Sequence, residues 1–168
     1  MTVTTNPTYA QVAALPTVHE HVVGPEHLDE NRHMNIGHYF TFGGHAIWAR
    51  HQDELGMPDT YISERGLTTF TAEQHLRYLG ESLEGDRIGV SVVIVDRSDK
   101  VLHAAALMTN HTRQELSCVM EAVAVHVDFA TRRPTPFPDD VAALLDAAID
   151  ADRVGWDLPL SGGLGVRR

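Results

Sequence analysis

The chain has 168 residues, with 13 Lys and Arg against 23 Asp and Glu, and a formal net charge of −10. A phosphate surface repels such a molecule, which excludes DNA and RNA binding, and a single cysteine, Cys118, excludes an intrachain disulfide or a Cys-rich zinc knuckle. No stretch approaches the roughly 18 apolar residues that span a bilayer, and residues 1–6 carry no Lys or Arg ahead of an apolar core, so a soluble, cytoplasmic, single-domain protein is expected.

In chain order, residues 17–23 form a β-prone run that leads into a loop, residues 24–35, dense in acids, His and Asn. A helix is predicted over 36–55, because Tyr39, Phe40, Ile47, Trp48 and Leu55 recur near multiples of 3.6 and Gly56 stands where a C-cap glycine belongs. Gly43 and Gly44 cost about 1 kcal/mol each relative to Ala inside a helix, so the pair reads as a place where another backbone packs closely. Beyond a loop through Pro58 and Gly66, four β-rich runs follow, at 67–79, 86–96, 101–111 and 116–129. The polar connection Arg97-Ser98-Asp99-Lys100 makes a hairpin, so antiparallel pairing is expected. Ile88, Val90, Val92 and Ile94 make one face of their strand apolar, and Val93 and Val95 occupy the other, as in a central strand covered on both sides. One helix cannot cover both faces, so a second subunit is expected over the other. A Pro-rich and Arg-bearing segment, 131–138, precedes a short amphipathic helix at 141–149 and a Gly-rich tail. The order β-α-β-β-β-β is that of an α+β fold, organised as an arm (1–16), a domain (17–150) and a tail (151–168).

The densest polar chemistry is His27-Leu28-Asp29-Glu30-Asn31-Arg32-His33-Met34-Asn35, immediately ahead of the long helix. The first amides of a helix lack internal acceptors and favour negative charge, including the oxyanion of an attacked acyl group. Asp29 lies about one loop-turn ahead of Ile36 and Gly37, so a carboxylate and free N–H groups can converge on one carbonyl. The same residues also read as a plain helix cap at Asn35 and a solvated loop acid at Asp29.

Asp29-x-x-x-His33-Met34-Asn35 followed by Tyr39 resembles the Asp-x-x-Gly-His-Met-Asn…Tyr signature of the hotdog-fold acyl-CoA thioesterases related to 4-hydroxybenzoyl-CoA thioesterase. Further segments are similar to that family's sheet: His75-Leu76-Arg77-Tyr78-Leu79, Glu84-Gly85-Asp86, Leu102-His103, and Glu121 with His126-Val127-Asp128. The branch they most resemble includes betainyl-CoA thioesterases and the thioesterase domains associated with carnitine dehydrogenases. The resemblance implies a hotdog fold, an antiparallel sheet wrapped around one long helix. It also implies an acyl-CoA thioesterase working as a homodimer or homotetramer, with Asp29 as base or nucleophile and the Ile36 amide as oxyanion donor. Asn35 and His33 would fix the loop and contact the acyl or leaving group. Arg32 departs from the pattern, standing where the family has Gly, a residue used where φ must be positive.

Glu73, an acid at the start of a strand, is a second candidate carboxylate that a neighbouring subunit's site could use; its plain role is a strand-edge charge. Arg132 and Arg133 are the candidates for holding coenzyme A phosphates, against a role as solvated linker arginines. His19 and His21 share a strand face and His38 and His45 a helix face, but no third ligand has diagnostic spacing, so no metal and no other cofactor is expected. Two rivals stand beside the hydrolase: a hotdog hydratase, which pairs an Asp with a His ahead of the helix, and a non-catalytic acyl-thioester-binding protein. The acyl group is expected to be small and polar or cationic.

Overall fold

The computed structural model describes residues 6–167; the first five residues of the expected arm, and Arg168, lie outside the described residues. Strands β1 (Thr17–Val22), β2 (Leu67–Tyr78), β3 (Arg87–Arg97), β4 (Val101–Asn110) and β5 (Glu115–Asp128) form one sheet in the order β1-β3-β4-β5-β2. Every pairing is antiparallel, as the polar turns implied. Helix α1 (Tyr9–Ala13) precedes β1, α2 (Ile36–Asp53) and α3 (Tyr61–Arg65) lie between β1 and β2, and α4 (Asp139–Ala151) follows β5. The α+β class and the order of strands around the long helix agree with the sequence reading, while the short α1 and α3 were not anticipated. Neither has the length to show a 3.6-residue period, and each buries one described residue, Val12 and Tyr61.

The core lies between α2 and one face of the sheet. Alternation along the strands brings Ile88, Val90, Val92 and Ile94 of β3, Leu102, Ala104, Ala106 and Met108 of β4, and Met120 and Ala122 of β5 to that face. Tyr39, Phe42, Ala46 and Ile47 of α2 and Val141 and Leu145 of α4 close over them. Cys118 sits in the same layer, fully buried, and burial pushes its thiol up to about 12. The opposite face carries Val93, Leu107, Leu116 and Val119. The expectation that another subunit covers this face is corrected: Val12 and Leu15 from the N-terminal side and Trp156 and Leu158 from the tail pack there. Arg77 donates to the Pro159 carbonyl at 3.0 Å, and the Ser161 N–H donates to the buried Glu121 carboxylate, so the tail is fastened by polar as well as apolar contacts.

Helix α2 is seated at three places. At its head, Asn35 is the cap, its side-chain oxygen accepting the Gly37 N–H at 2.9 Å. At its middle, a Cβ on Gly43 would meet Met108 Cε at 2.6 Å and Met120 Sδ at 2.7 Å, whereas one on Gly44 would meet nothing within 4 Å. The close approach anticipated at this pair therefore belongs to Gly43 alone and is made to two thioether side chains, not to a backbone. Near its end, Arg50 forms a bidentate pair with Asp152 at 2.8 Å and 2.8 Å, and Asp152 also accepts the Ile94 N–H at 2.6 Å. The helix stops two residues before the predicted boundary, at Asp53, and Gly56 (φ +71°) turns the chain after the cap residue Glu54.

His51 on this helix is buried, and its Nε2 has no hydrogen-bond partner among the described residues. Burial first, and then the Arg50 charge, lower its pKa from 6.5 to about 4. The unfolded chain thus binds a proton that the folded chain refuses, so the contribution is intact above pH 6.5 and is lost as pH falls toward 4. Chemical denaturation should show about 2 kcal/mol less stability at pH 5 than at pH 7 from this residue. The His51→Gln variant should lose most of that slope, and parallel pH profiles for the two proteins would exclude the assignment.

Candidate active site

The loop between β1 and α2 closes on itself in a five-residue turn. The Asp29 N–H donates to the His33 carbonyl at 3.0 Å, the Arg32 N–H donates to the Asp29 carbonyl at 2.9 Å, and Leu28 pairs with Met34 in an antiparallel bridge. This pattern is a tight turn followed by a bulge residue in the left-handed region, a position that favours glycine. Arg32 occupies it with φ 63°, so the turn survives the replacement of the expected Gly at a cost on the order of 1 kcal/mol. The Asn31 N–H donates to Asp29 Oδ1 at 2.9 Å, and His33 Nδ1 lies 3.6 Å from the same oxygen. Asp29 is largely enclosed, with its side chain 13% exposed.

The turn leads through Met34 into Asn35, the cap of α2. Gly37 donates to the Asn35 side chain and His38 to the Asn35 carbonyl, which leaves the Ile36 N–H at the head of the helix. Asp29, His33, Asn35 and Ile36 are therefore brought together within one turn and one helix terminus. The assembly is fixed from below by Ser82, fully buried in the β2–β3 connection: its carbonyl accepts the Met34 N–H at 2.8 Å and its hydroxyl accepts the Tyr39 O–H at 3.1 Å. Asp86 holds that connection in turn, accepting from Leu83 N–H, the Asn110 amide and Arg113. Burial pushes its carboxyl up, but those three donors outweigh burial and hold it below the usual range. Beside the helix head lies a hollow of about 280 Å³ lined by His33, Ile36, Tyr39, Tyr78 and Glu81, among others. Larger clefts of about 790 Å³, both lined by Asp96, Ile149 and Arg153, border α4 away from this turn.

The other candidates stand apart within one chain. Glu73 is half-exposed in the middle of β2, just past a bulge, with Arg167 at 3.7 Å. Arg132 and Arg133 follow β5 at the end of the sheet where Leu67 pairs with Asp128. The Arg132 guanidinium lies over the rings of Phe129 (4.4 Å) and Phe70 (5.5 Å), and its backbone is also left-handed, with φ 59°. Since the Asp29 turn sits by the opposite end of β2, beside Tyr78, about 35 Å of strand separates the arginines from it. Ser82 and Glu81 were not singled out from the sequence, because a serine and an acid in a polar loop carry no periodic or motif signal. Among the described residues no cluster of three or more His, Cys, Asp or Glu is arranged to hold a metal ion. No described helix is long and apolar enough to cross a membrane.

Residues 23–145 match the family model of the thioesterase-like superfamily. The betainyl-CoA thioesterase of Pseudomonas aeruginosa is 31% identical over 153 residues, covering 89% of this chain and 91% of that protein. The chain belongs to the thioesterase-like superfamily. An L-carnitine dehydrogenase/betainyl-CoA thioesterase from Ruegeria pomeroyi is 30% identical over 141 residues, 83% of this chain but only 28% of that longer protein. Among solved structures, a Staphylococcus aureus protein in complex with CoA superposes with a TM-score of 0.78 at 24% identity, covering 89% of this chain and 93% of that one. A 1,4-dihydroxy-2-naphthoyl-CoA thioesterase from Synechocystis gives 0.69 at 14% identity, covering 77% and 95%. These likenesses bear out the hotdog fold and the thioesterase resemblance read from the Asp29–Tyr39 motif.

The strained turn makes a direct prediction for this superfamily member. Arg32→Gly should raise unfolding free energy by about 0.5 to 1 kcal/mol without altering the turn, since glycine takes positive φ freely. Chemical denaturation checks it, and a loss of stability would mean that the Arg32 side chain makes a compensating contact.

Proposed function

We propose that the protein hydrolyses the thioester of a small acyl-CoA, with Asp29 as the essential carboxylate and the Ile36 N–H as oxyanion donor. What supports this reading is a sheltered carboxylate at Asp29, 3.6 Å from His33, in a turn that leads into a helix head whose first amide is not used by the Asn35 cap, with His33 and Ile36 lining one hollow. Asp29 either takes a proton from water as that water attacks the carbonyl carbon or attacks the carbon itself. In both routes the carbonyl electrons move onto oxygen facing Ile36, the C–S bond breaks, and coenzyme A leaves as a thiolate that needs little acid assistance; in the second route water then cleaves the anhydride formed on Asp29, releasing the acid and restoring the carboxylate. Asn35 holds the helix head and His33 the turn. The named activity of the Pseudomonas aeruginosa relative favours a small cationic acyl group.

The second chain supplies what one chain keeps apart. The free edge of β2 is twelve residues long, and Phe70 on it is exposed. On α2, Ile36, Phe40 and Trp48 form an exposed stripe spaced by multiples of four. An unpaired strand edge flanked by an apolar stripe is a surface for a second copy. Two-fold antiparallel pairing of β2 edges about their midpoint sets the Leu67 end of one strand against the Tyr78 end of the other. The partner's Arg132 and Arg133 then lie beside the Asp29 turn, ready for the coenzyme phosphates, and Glu73 falls near the two-fold axis.

Replacing Asp29 by Asn keeps shape and loop hydrogen bonding but removes the charge, so kcat should fall by about 10² to 10⁴ with the fold retained. Free thiol from a panel of acyl-CoAs is the readout. Near-normal activity with an inactive Glu73→Gln would move the role to Glu73, and hydration of an enoyl-CoA without thiol release would favour a hydratase.

Shared sites make a second measurement possible. Mixing Asp29→Asn chains with Arg132→Ala/Arg133→Ala chains gives heterodimers in which one of two sites is intact, so about a quarter of wild-type activity should return at low substrate. No recovery on subunit exchange would mean that each site draws on one chain alone.

A further inference from the structure

We propose that the hollow beside the head of α2 is a subsite for a quaternary ammonium on the acyl group, read by the Tyr78 ring and the Glu81 carboxylate. The inference rests on the thioesterase reading and adds to it the residues that set acyl specificity. Tyr39 and Tyr78 meet at nearly a right angle, with ring centroids 5.4 Å apart and planes 77° apart, and so make an aromatic corner. Tyr39 is immobilised in it, buried and donating from its hydroxyl to Ser82 and, at 3.3 Å, to the Gly80 carbonyl. Tyr78 is 46% exposed, leaving ring surface open to a ligand. An aromatic face attracts a cation that cannot hydrogen-bond, through the negative potential above the ring.

The charges around the corner have the matching sign. Glu81 lines the hollow, and the Glu115 carboxylate packs against Gly80, where a Cβ would meet its Oε1 at 2.8 Å. Asp86 lies behind, and the one described guanidinium in this cluster, Arg113, is drawn to Asp86 at 3.0 Å and stands 3.7 Å from Glu81. Within the chain, three carboxylates against one guanidinium favour a cation over phosphate, so this corner suits the acyl group, and the coenzyme phosphates fall to the partner's Arg132 and Arg133. Ile36 lines the same hollow, which sets a carbonyl held by its N–H next to the aromatic corner. A short acyl group, its ammonium one carbon removed from the carbonyl, keeps both groups within this one hollow.

The test compares two acyl groups of equal shape and different charge, trimethylammonioacetyl-CoA and tert-butylacetyl-CoA. The wild type should prefer the cationic substrate by at least about tenfold in kcat/KM. Tyr78→Leu and Glu81→Gln should each reduce that ratio several-fold, and Tyr78→Phe, which keeps the ring, should preserve it. A ratio near one in the wild type, or equal losses on both substrates in the variants, overturns the subsite and leaves thioester hydrolysis standing. If neither is cleaved while another acyl-CoA of the panel is, the subsite is overturned; if no acyl-CoA is cleaved, the thioesterase reading fails, and calorimetric binding of tetramethylammonium decides the subsite by itself. Binding that is lost in Tyr78→Leu and kept in Tyr78→Phe supports it, while no binding, or binding indifferent to Tyr78, overturns it.

Discussion

The carbonyl and the hydroxyl of Ser82 hold together three pieces of chain that are far apart in sequence. One group accepts from Met34 at the end of the Asp29 turn and the other from Tyr39 inside α2, and the serine itself belongs to the β2–β3 connection. With no exposed surface, these bonds are shielded from competing water, and leaving either donor unpaired would cost about 1 to 3 kcal/mol. The position of the helix head relative to the turn, and the hollow between that head and Tyr78, both follow from this clasp. Asp86 supports it from one side, with three donors converging on its carboxylate.

The far end of the same helix is held by a different means. Arg50 is largely buried and spends its guanidinium on Asp152, Glu54 and the Val92 carbonyl, so a charge that burial alone would penalise is fully satisfied. Between the two ends, Gly43 lets α2 settle onto Met108 and Met120, whose flexible thioethers fill the space a side chain would take. A helix fixed at both ends and in close contact at its middle is a rigid support for the groups at its head.

Most of the architecture was legible in the sequence because it is written in periodicity. Alternation in Ile88, Val90, Val92 and Ile94, and the 3.6-residue spacing of Tyr39, Ile47 and Trp48, survive any choice of neighbours. The Asp29-to-Tyr39 motif was equally plain, since its residues fall within one short segment. What escaped depends on contacts distant in sequence. The packing of Val12, Trp156 and Leu158 over the outer face places segments from before β1 and after α4 where a second subunit had been expected, and no local pattern encodes it. Glu121 stood out in the sequence only as part of the resemblance to the family's sheet, and its burial under that tail with His103 at 3.4 Å has no local signal. Arg32 was visible as a departure, but only the closed hydrogen bonds of the turn show that arginine has been made to adopt glycine's conformation.

The lone cysteine has a consequence at the laboratory bench. Cys118 lies in the packed layer between β5 and α2, and its thiol stays protonated far above neutral pH, so in the folded state it is neither reachable nor nucleophilic. Any sulfur that reacts with a colorimetric disulfide reagent during turnover therefore comes from released coenzyme A, with no background from the native protein. A signal that plateaus at one equivalent per chain, independent of substrate, carries the opposite message: the core has opened, and the reagent is counting unfolded molecules.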